Sequence, residues 1–532
     1  MRFVFDELSI GCAVALLLAT AASMPPAFAA TSGASASNVK WITANDDAGI
    51  ARCFAEAKTA SKPVLLYWGA TWCPPCNQLK ATVFNRQDFA VESKSFVAVH
   101  VDGDEPGAQR LGARFKVMGY PTVILFTPEG GEITRLPGDV DAAKWMALLQ
   151  AGLAGGRPVK AVLDDATAGK PLTANEWRSL AFYSWETDEA RLVAKDRLSD
   201  LLAELAVRST SSPDTANRFL LMALAAAGEP KGAKPDTPAR KRVMALLADP
   251  ASAREQMDVL AGNAPAIVRA LDPVNSPERA ALIEAFDQAL QRFEADTTLS
   301  RADRIGALSA RVDLARIDEP KDAVKVKVPE PLARELQSWA AKMDREIADP
   351  YERQAVIPNA ADALGQAGLW ADSDRLLKAN LAKSHSPYYL MSELASNARK
   401  QGRNNEALDW YRRAFATSKG PATRLQWGAS YITALIELAP QDAPRIENTA
   451  AALIGEATKD KAAFYERSGR SLDKVGTKLA AWNEAGAHQD VMLRLQAKLE
   501  TACGKLSAKD PQRATCEDLL RKTVKGGASA AG

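Results

Sequence analysis

The sequence predicts an α/β domain, a mixed sheet flanked by helices, followed by an all-α helical-repeat region. Within residues 38–154, short apolar runs bounded by Pro or Gly alternate with amphipathic segments, as expected for strands and helices in turn. After residue 172 strand signals almost vanish, and Ala, Leu, Arg, Asp and Glu recur with helical periodicity. A chain of 532 residues can hold more than one core. The predicted domains are 38–154, an α-helical region at 172–330 and a helical-repeat region at 331–525.

Each element of the first domain follows from its local pattern. The run 63–68 (PVLLYW) is short, apolar and bounded by Pro and Gly, which favours a buried strand. The runs 96–102 and 122–127 repeat this pattern, and PEGGE then forms a hairpin turn that returns the chain along ITRLPG. Helices are predicted over 46–62, 76–83, 108–117 and 140–151.

The N-terminus has the pattern of an export signal. Residues 10–22 form an apolar run too short to span a membrane readily, and Ala27-Phe28-Ala29 is a small-x-small cleavage site, so residues 1–29 are predicted to be a signal peptide. A buried N-terminal helix is the alternative. No later segment approaches ~20 apolar residues. We therefore expect a soluble protein of the periplasm, with no membrane insertion after signal removal.

The balance of charged residues gives no sign of a polyanionic partner. Lys and Arg total 67 and Asp and Glu total 65, a net charge of +2, so no nucleic-acid binding is predicted. Three histidines, far apart in sequence, argue against a histidine-based metal site.

Four of the six cysteines lie outside the central pair. Cys12 falls in the predicted signal peptide, and Cys53 lies on an apolar helical stripe, where we interpret it as a buried small hydrophobe rather than a regulatory thiol. Cys503 and Cys516 are predicted to form a structural disulfide between adjacent helices, because an oxidising compartment favours one. A second redox pair is the alternative.

Cys73 and Cys76 can be a redox pair, half of a metal site or a structural crosslink. A zinc half-site needs a second ligand pair, which the sequence lacks, so no metal and no other cofactor is predicted. A structural disulfide across two residues constrains almost nothing. A strand end that leads into a helix favours a thiolate at Cys73, and Cys76 can close a disulfide with it, so redox chemistry is the favoured interpretation. Pro74 and Pro75 fit the first helical turn and remove two donors, which leaves the Cys76 amide as the main local hydrogen-bond partner of the Cys73 sulfur.

Two motifs here, WCPPC at 72–76 and GYPT at 119–122, are similar to those of the thioredoxin superfamily. The stretch KPVLLYWGATWCPPCNQLKATVFNRQDF also resembles the C-terminal thioredoxin-like domain of the periplasmic reductase family DsbD. The resemblance covers about residues 38–154 and implies that Cys73 is the exposed nucleophile and Cys76 the resolving thiol. It also implies a cis Pro121 packed against the cysteines, with the Tyr120 backbone left to pair with an extended substrate strand. The predicted site residues are Trp72, Cys73, Pro74, Pro75, Cys76, Tyr120 and Pro121.

One departure from the family pattern affects the chemistry. The family usually has a buried aspartate six residues before the first cysteine, and Tyr67 stands there; the lysine that often partners it is replaced by Ala98. The absence of both is consistent, because one alone would be an unpaired buried charge. Deprotonation of Cys76 then needs water or a group from the rest of the protein. His100 is near, but we interpret it as a core or edge histidine.

The remainder of the chain has features of linkers and helical repeats. Residues 155–171 are linker-like, with Asp164 and Asp165 interpreted as solvated loop residues, and helix breaks are predicted at 211–213, 228–238 and 272–277, with an exposed loop over 228–240. The segments that begin at Gly368 and Gly402 align with a 34-residue offset and resemble tetratricopeptide repeats. The aligned positions are Leu376 with Trp410, Leu377 with Tyr411, Leu381 with Phe415, Ala382 with Ala416 and Pro387 with Pro421. The aromatic positions among them are interpreted as core, with a ligand-lined groove as the alternative.

We expect the small domain to carry out the chemistry and the helical array to select the partners. The leading hypothesis is an exported thiol:disulfide oxidoreductase, of reductase or isomerase type by resemblance. Its expected partners are periplasmic protein thiols or disulfides and an upstream membrane or periplasmic dithiol donor. The competing hypothesis is a scaffold or holdase in which the thioredoxin-like part is mainly a binding module.

Overall fold

The computed structural model describes residues 39–188, 192–209, 212–227, 237–272, 274, 276–320 and 323–525. The predicted signal peptide at 1–29 and most of the loop predicted at 228–240 lie outside these residues; residues 237–240 are helical. Among the described residues, no helix is both long and apolar enough to cross a membrane.

Five strands form one mixed sheet in the order β1-β3-β2-β4-β5. β1, β3 and β2 run parallel, whereas β4 is antiparallel to both β2 and β5. This confirms the predicted fold class of the first domain. The two-residue strand β1 was not predicted, because so short a segment carries no periodic signal. The strands are β1 Ile42–Thr43, β2 Val64–Gly69, β3 Val97–Asp102, β4 Thr122–Phe126 and β5 Glu132–Leu136.

Four of the five helices of this domain lie close to their predicted positions, whereas the short helix Gln87–Glu92 was not predicted. The second helix begins at Pro74 because the two prolines occupy its first turn, where a missing N–H costs little. It continues into a π turn over Lys80–Phe84. The helices are α1 Asp47–Ala60, α2 Pro74–Leu79, α3 Gln87–Glu92, α4 Ala108–Phe115 and α5 Ala142–Leu153, with a 3-10 turn at Ser93–Ser95.

The central strand β2 is buried on both faces, which explains its continuous apolar sequence. Leu66 and Trp68 point into one cluster together with helix α1, whereas Leu65 and Tyr67 point into another that contains both site cysteines. The cysteine pair is therefore attached to one of the two hydrophobic layers that flank the sheet.

The prediction of a linker over 155–171 is wrong. Helix α6, Val159–Thr167, occupies this segment, and its Val159 and Val162 are buried in the cluster that contains the site cysteines. That cluster continues as far as Ala223, so the sheet and the first later helices share one core. The Gly and Pro residues around the segment suggest a linker, but the apolar spacing within VKAVLDDAT is helical. Asp164 and Asp165 belong to this helix and form ion pairs.

The rest of the described chain folds as packed helices, as predicted, and residues 209, 212, 272, 274 and 276 lie between helices, at or next to the predicted breaks. The helices are α7 Ala174–Ala181, α8 Trp185–Asp188, α9 Leu198–Arg208, α10 Pro213–Ala227, α11 Thr237–Ala248, α12 Pro250–Glu255, α13 Met257–Leu271, α14 Pro277–Ala295, α15 Arg301–Ala315, α16 Glu330–Glu346, α17 Pro350–Gln366, α18 Trp370–Asn380, α19 Pro387–Lys400, α20 Asn404–Thr417, α21 Pro421–Leu438, α22 Ala443–Ala457, α23 Glu466–Trp482, α24 Gln489–Gly504 and α25 Gln512–Lys525, with 3-10 turns at Lys195–Arg197 and Glu484–Gly486.

The two segments related by 34 residues fold alike. Gly368 lies between α17 and α18, and Gly402 lies between α19 and α20. Both have positive φ, +78° and +71°, a conformation that glycine adopts without steric cost. Leu377 and Tyr411, equivalent positions of the two segments, are both buried. The tetratricopeptide label itself stays a resemblance.

Candidate active site at the Cys73–Cys76 pair

Cys73 lies at the N-cap of α2, four positions after the end of β2 at Gly69, and forms a disulfide with Cys76. The backbone N–H of Cys76 donates a hydrogen bond to Cys73 Sγ at 3.2 Å, the partner expected from the two prolines. Unpaired amide groups at a helix N-terminus stabilise negative charge, so the reduced Cys73 sulfur occupies a position that favours its thiolate.

Asn77 fixes the loop that carries the cysteines, a role that the sequence analysis did not assign. Its side chain is fully buried, and Nδ2 donates to the carbonyls of Thr71 and Cys73 at 2.8 Å each. Pro74 is buried and Pro75 is exposed. The two hydrogen bonds tie residue 71 to the first turn of α2 and so limit the motion of the pair.

The expectation of an exposed nucleophile is wrong for this structure. Cys73 is only 2% exposed and Cys76 is fully buried. Residues more than 280 positions away in the sequence contact the loop before Cys73: Gln354 Nε2 donates to the carbonyl of Trp72 at 3.0 Å, and His385 Nε2 donates to the carbonyl of Thr71 at 3.0 Å. The helical region therefore covers this loop.

Aromatic and cationic side chains of the helical region surround Trp72. The Tyr389 ring stacks on the indole with centroids 5.9 Å apart, and the Trp427 ring meets it edge-on at 5.1 Å. The Arg467 guanidinium lies 4.4 Å from the centroid of the indole. Tyr120, which belongs to the same domain as Trp72, also contacts the indole, with ring centroids 6.3 Å apart. Such contacts each stabilise a desolvated indole by roughly 0.5–2 kcal/mol.

The indole N–H of Trp72 also joins the two parts of the chain. It donates to Asp104 Oδ2 and to Thr423 Oγ1, both at 2.9 Å. The Thr423 hydroxyl in turn donates to Asp104 Oδ1. This three-residue network, which we call the Trp72 latch, connects the cysteine loop, the β3–α4 loop and the start of α21. Neither Asp104 nor Thr423 belongs to a motif that the sequence reveals.

Burial raises the pKa of the Asp104 carboxyl to about 6, because desolvation penalises its charged form. The guanidinium of Arg467, 3.7 Å away, and the hydrogen bonds from Thr423 and Trp72 oppose this effect only in part. The carboxyl of Asp102 raises the pKa further.

The Tyr120–Pro121 peptide bond is cis, and Pro121 is buried. Helix α23 covers the loop before it: the Arg467 guanidinium lies 5.3 Å from the Tyr120 ring centroid, and Arg470 donates to the carbonyl of Met118 at 3.1 Å. The backbone segment that the family resemblance assigns to substrate pairing thus lies against the protein's own helix.

Tyr67 occupies the position of the usual buried acid, and its side chain is 2% exposed. The ring stacks on His100 at 5.0 Å, and its hydroxyl has no hydrogen-bond partner among the residues that the structure describes. Burial raises the pKa of the Tyr67 hydroxyl, so it stays protonated. Burial lowers the pKa of His100 to about 4, so the imidazole is neutral at pH 7 and packs as the sequence analysis expected. Ala98 pairs with Leu65 and supplies no charge.

The remaining cysteines lie apart from this site. A disulfide joins Cys503 on α24 to Cys516 on α25, and both residues are buried in a cluster of C-terminal helices. Cys53 is a buried free thiol on α1, and burial raises its pKa. Within the described ranges, no group of three or more His, Cys, Asp or Glu side chains is arranged to hold a metal ion.

Comparison with known proteins identifies the first domain. The family described as "Thioredoxin-like domain" matches residues 51–153. Thiol:disulfide interchange protein DsbD 2 of Pseudomonas aeruginosa is 34% identical over 115 residues, which cover 21% of this chain and 20% of that protein. DsbD 1 of the same organism is 31% identical over 108 residues, covering 20% and 18%. DsbD of Vibrio vulnificus is 30% identical over 121 residues, covering 22% and 20%.

The chain thus matches about a fifth of the length of these relatives. Among solved structures, oxidised thioredoxin O1 of Arabidopsis thaliana has 20% sequence identity and a TM-score of 0.18, over 21% of this chain and 95% of that one. Residues 51–153 form a thioredoxin-like domain that resembles the thioredoxin part of DsbD, and a large helical region follows.

Proposed function

We propose that this protein is an exported thiol:disulfide oxidoreductase of the periplasm that exchanges disulfides with protein substrates through Cys73 and Cys76. The observation that carries the proposal is the position of Cys73 at the N-cap of α2, with its sulfur accepting the Cys76 amide, inside a thioredoxin-like domain. That geometry lowers the pKa of the first thiol of a Cys-X-X-Cys pair and makes it the attacking group.

The exchange proceeds in two displacements. The Cys73 thiolate attacks one sulfur of a substrate disulfide, forms a mixed disulfide and releases the first substrate thiolate. Cys76 then loses its proton and attacks Cys73 Sγ, which releases the second substrate thiolate and leaves the Cys73–Cys76 disulfide. Two electrons pass to the substrate, whose two thiolates take up two protons. Tyr67 stays protonated, and the buried His100, with a pKa of about 4, binds a proton only weakly, so water is the base that we assign to Cys76.

The direction of exchange, the compartment and the partners belong to this proposal. The matched relatives are named thiol:disulfide interchange proteins, which supports disulfide exchange at this site. Reductase or isomerase chemistry, with an upstream dithiol as electron donor, is the form of exchange that we propose. The helical region, in this proposal, recruits the partners.

The test uses the Cys76→Ser variant, in which attack by Cys73 stalls at the mixed disulfide. The reduced, full-length variant is incubated with excess insulin as a disulfide-bonded protein, and adducts are measured by mass. We expect an adduct that the Cys73→Ser/Cys76→Ser control does not form. The control keeps Cys53, so it accounts for attack by that thiol. If prolonged incubation yields no adduct that depends on Cys73, the proposal is wrong.

A second candidate is a scaffold or holdase whose thioredoxin-like domain mainly binds other parts of the protein. The coverage of Cys73 by the helical region favours it. Under this alternative the disulfide exchanges with no substrate in any variant, and Cys73→Ser leaves partner binding unchanged.

A further inference from the structure

We propose that the helical region gates the cysteine pair: disulfide exchange takes place only from an open form in which Trp72 has left its contacts with Thr423, Trp427 and Arg467. The inference rests on the proposed function, because it specifies when the same site can react. The structure described above is the closed form.

In the closed form, a protein substrate cannot reach Cys73 Sγ. A substrate sulfur must approach Cys73 Sγ along the line of the bond that forms, and a residue 2% exposed leaves no such approach for a protein substrate. The covering residues come from α17, the segment before α19, α19, α21 and α23. Rotation of one side chain cannot remove contacts from that many elements, so exposure requires the cover to move relative to the loop.

The packing at this contact is specific. Gly420, which precedes α21, has a φ of +83°, and a Cβ atom built there would lie 2.7 Å from Asp104 Cβ. A larger residue would therefore push α21 away from the β3–α4 loop. Backbone contact this close indicates a fitted interface.

On the side of the helical region, Trp72 contacts a small apolar cluster. Trp427 forms a satellite apolar cluster with Tyr388 and Ala414, and Trp72 is the member that the thioredoxin-like domain contributes to it. Small satellite clusters open at lower free-energy cost than central cores. Trp72 also packs against the main cluster beneath the cysteines, so opening gives up that contact as well.

Three features of the contact raise the free energy of the closed form. NH1 and NH2 of Arg467 are buried without a hydrogen-bond partner in the described part of the chain. Burial disfavours the charged form of the adjacent Asp104. Glu466, the residue before Arg467, has a φ of +39°, which is strained for a side chain of its size. Strained or under-satisfied groups at one contact are typical of elements that switch between two states.

The test compares two threonine-to-valine substitutions on the same helix. Thr423→Val removes the hydroxyl of the Trp72 latch with little change in volume. Thr433→Val is the matched control, because Thr433 is also buried on α21 and its hydroxyl has no hydrogen-bond partner among the described residues. The full-length oxidised proteins are treated with a water-soluble trialkyl phosphine. The reagent takes oxygen from water to become its oxide and converts each disulfide that it reaches into two thiols.

Reduction of Cys73–Cys76 is followed by alkylation and mass spectrometry, and Cys503–Cys516 serves as an internal control for unfolding. We expect Thr423→Val to accelerate reduction of Cys73–Cys76 about tenfold, equivalent to about 1.4 kcal/mol, while reduction of Cys503–Cys516 stays unchanged. Thr433→Val should stay within about twofold of the unsubstituted protein, since an unpaired hydroxyl contributes no hydrogen bond.

Equal rates for Thr423→Val and the unsubstituted protein would overturn the gate, as would parallel acceleration of both disulfides. If Thr423→Val loses its fold, Arg467→Ala replaces it, with Arg413→Ala as control. Arg413 also lies over a tryptophan ring, that of Trp410 at 4.8 Å, within the helical region. If Thr423→Val accelerates reduction of Cys73–Cys76 but Cys76→Ser/Thr423→Val forms no insulin adduct, the gate stands and the proposed function is contradicted. If Cys76→Ser/Thr423→Val forms the adduct at the same rate as Cys76→Ser, the proposed function stands and the gate is contradicted.

Discussion

Protonation of Asp104 should stabilise the closed form as the pH falls. The perturbation is a change from about pH 7.5 to about pH 4.5, and the groups that face this carboxyl are Arg467, Asp102, Thr423 and Trp72. In the closed form the pKa of Asp104 is about 6, whereas a solvated aspartate has an ordinary value of 3.8. Between these values the closed form holds a proton that the open form releases. Closure is therefore strengthened as the pH falls through 6 and weakened as it rises.

The magnitude follows from these two pKa values. Their difference corresponds to about 3 kcal/mol of additional closure once the pH is below both. At about pH 4.5, protonation of Asp104 shifts the equilibrium between the closed and open forms toward the closed form by a factor of about 25. The rate at which the phosphine reduces Cys73–Cys76 should fall by that factor relative to pH 7.5.

The assay divides each rate by that for oxidised glutathione at the same pH, which removes the pH dependence of the reagent. Asp104→Asn is the control variant, because its amide does not titrate. We expect the normalised rate to lose most of its pH dependence in this variant. Faster normalised reduction at the lower pH, or the same pH profile with and without Asp104, would show that protonation of Asp104 does not stabilise the closed form.

Two further predictions concern buried groups. Tyr67→Phe should raise the free energy of unfolding, measured by urea denaturation, by about 1 kcal/mol, because the Tyr67 hydroxyl has no hydrogen-bond partner in the described structure. Tyr183→Phe should lower the free energy of unfolding by about 1–3 kcal/mol, because it removes the 2.5 Å hydrogen bond to Asp188. Equal effects of the two substitutions would contradict this prediction. Arg218→Met should cost about 3–5 kcal/mol by leaving Asp258 buried without its bidentate partner, and a loss below about 1 kcal/mol would contradict that.

The fold of the first domain could be predicted because its signals are local. The apolar runs of β2, β3 and β4 are bounded by turn residues, and the hairpin between β4 and β5 contains two glycines. Cys73 and Cys76 are close in sequence, so their pairing needs no tertiary information. Helix α6 was missed because its flanking Gly and Pro residues outweighed a short apolar pattern.

The covered state of the site could not be predicted. Trp72 meets Thr423 across 351 positions of sequence, and no local pattern encodes a contact between a loop and a helix so far apart. Aromatic residues at helical spacing, such as Tyr389 and Trp427, are read from sequence as core residues of their own region. Asp104 lies in the segment DGDEPG, which reads as an exposed turn, yet its carboxyl is buried by the start of α21.

At Tyr67, a departure from the family pattern replaces a charged side chain with a neutral one. The sequence indicated that an acid was absent, and the structure places a neutral ring there, stacked on a neutral imidazole. Next to Trp72, the carboxyl of Asp104 lies 3.7 Å from the guanidinium of Arg467, which belongs to the covering helical region. In this account the protein controls reactivity through access to Cys73.

Adduct formation with insulin, measured in parallel for Cys76→Ser and Cys76→Ser/Thr423→Val, tests exchange at Cys73 and its gating together. Both variants should form a mixed disulfide through Cys73, and the second should form it about tenfold faster. Absence of adduct from both variants, while both retain the intact Cys503–Cys516 disulfide, would contradict disulfide exchange at Cys73.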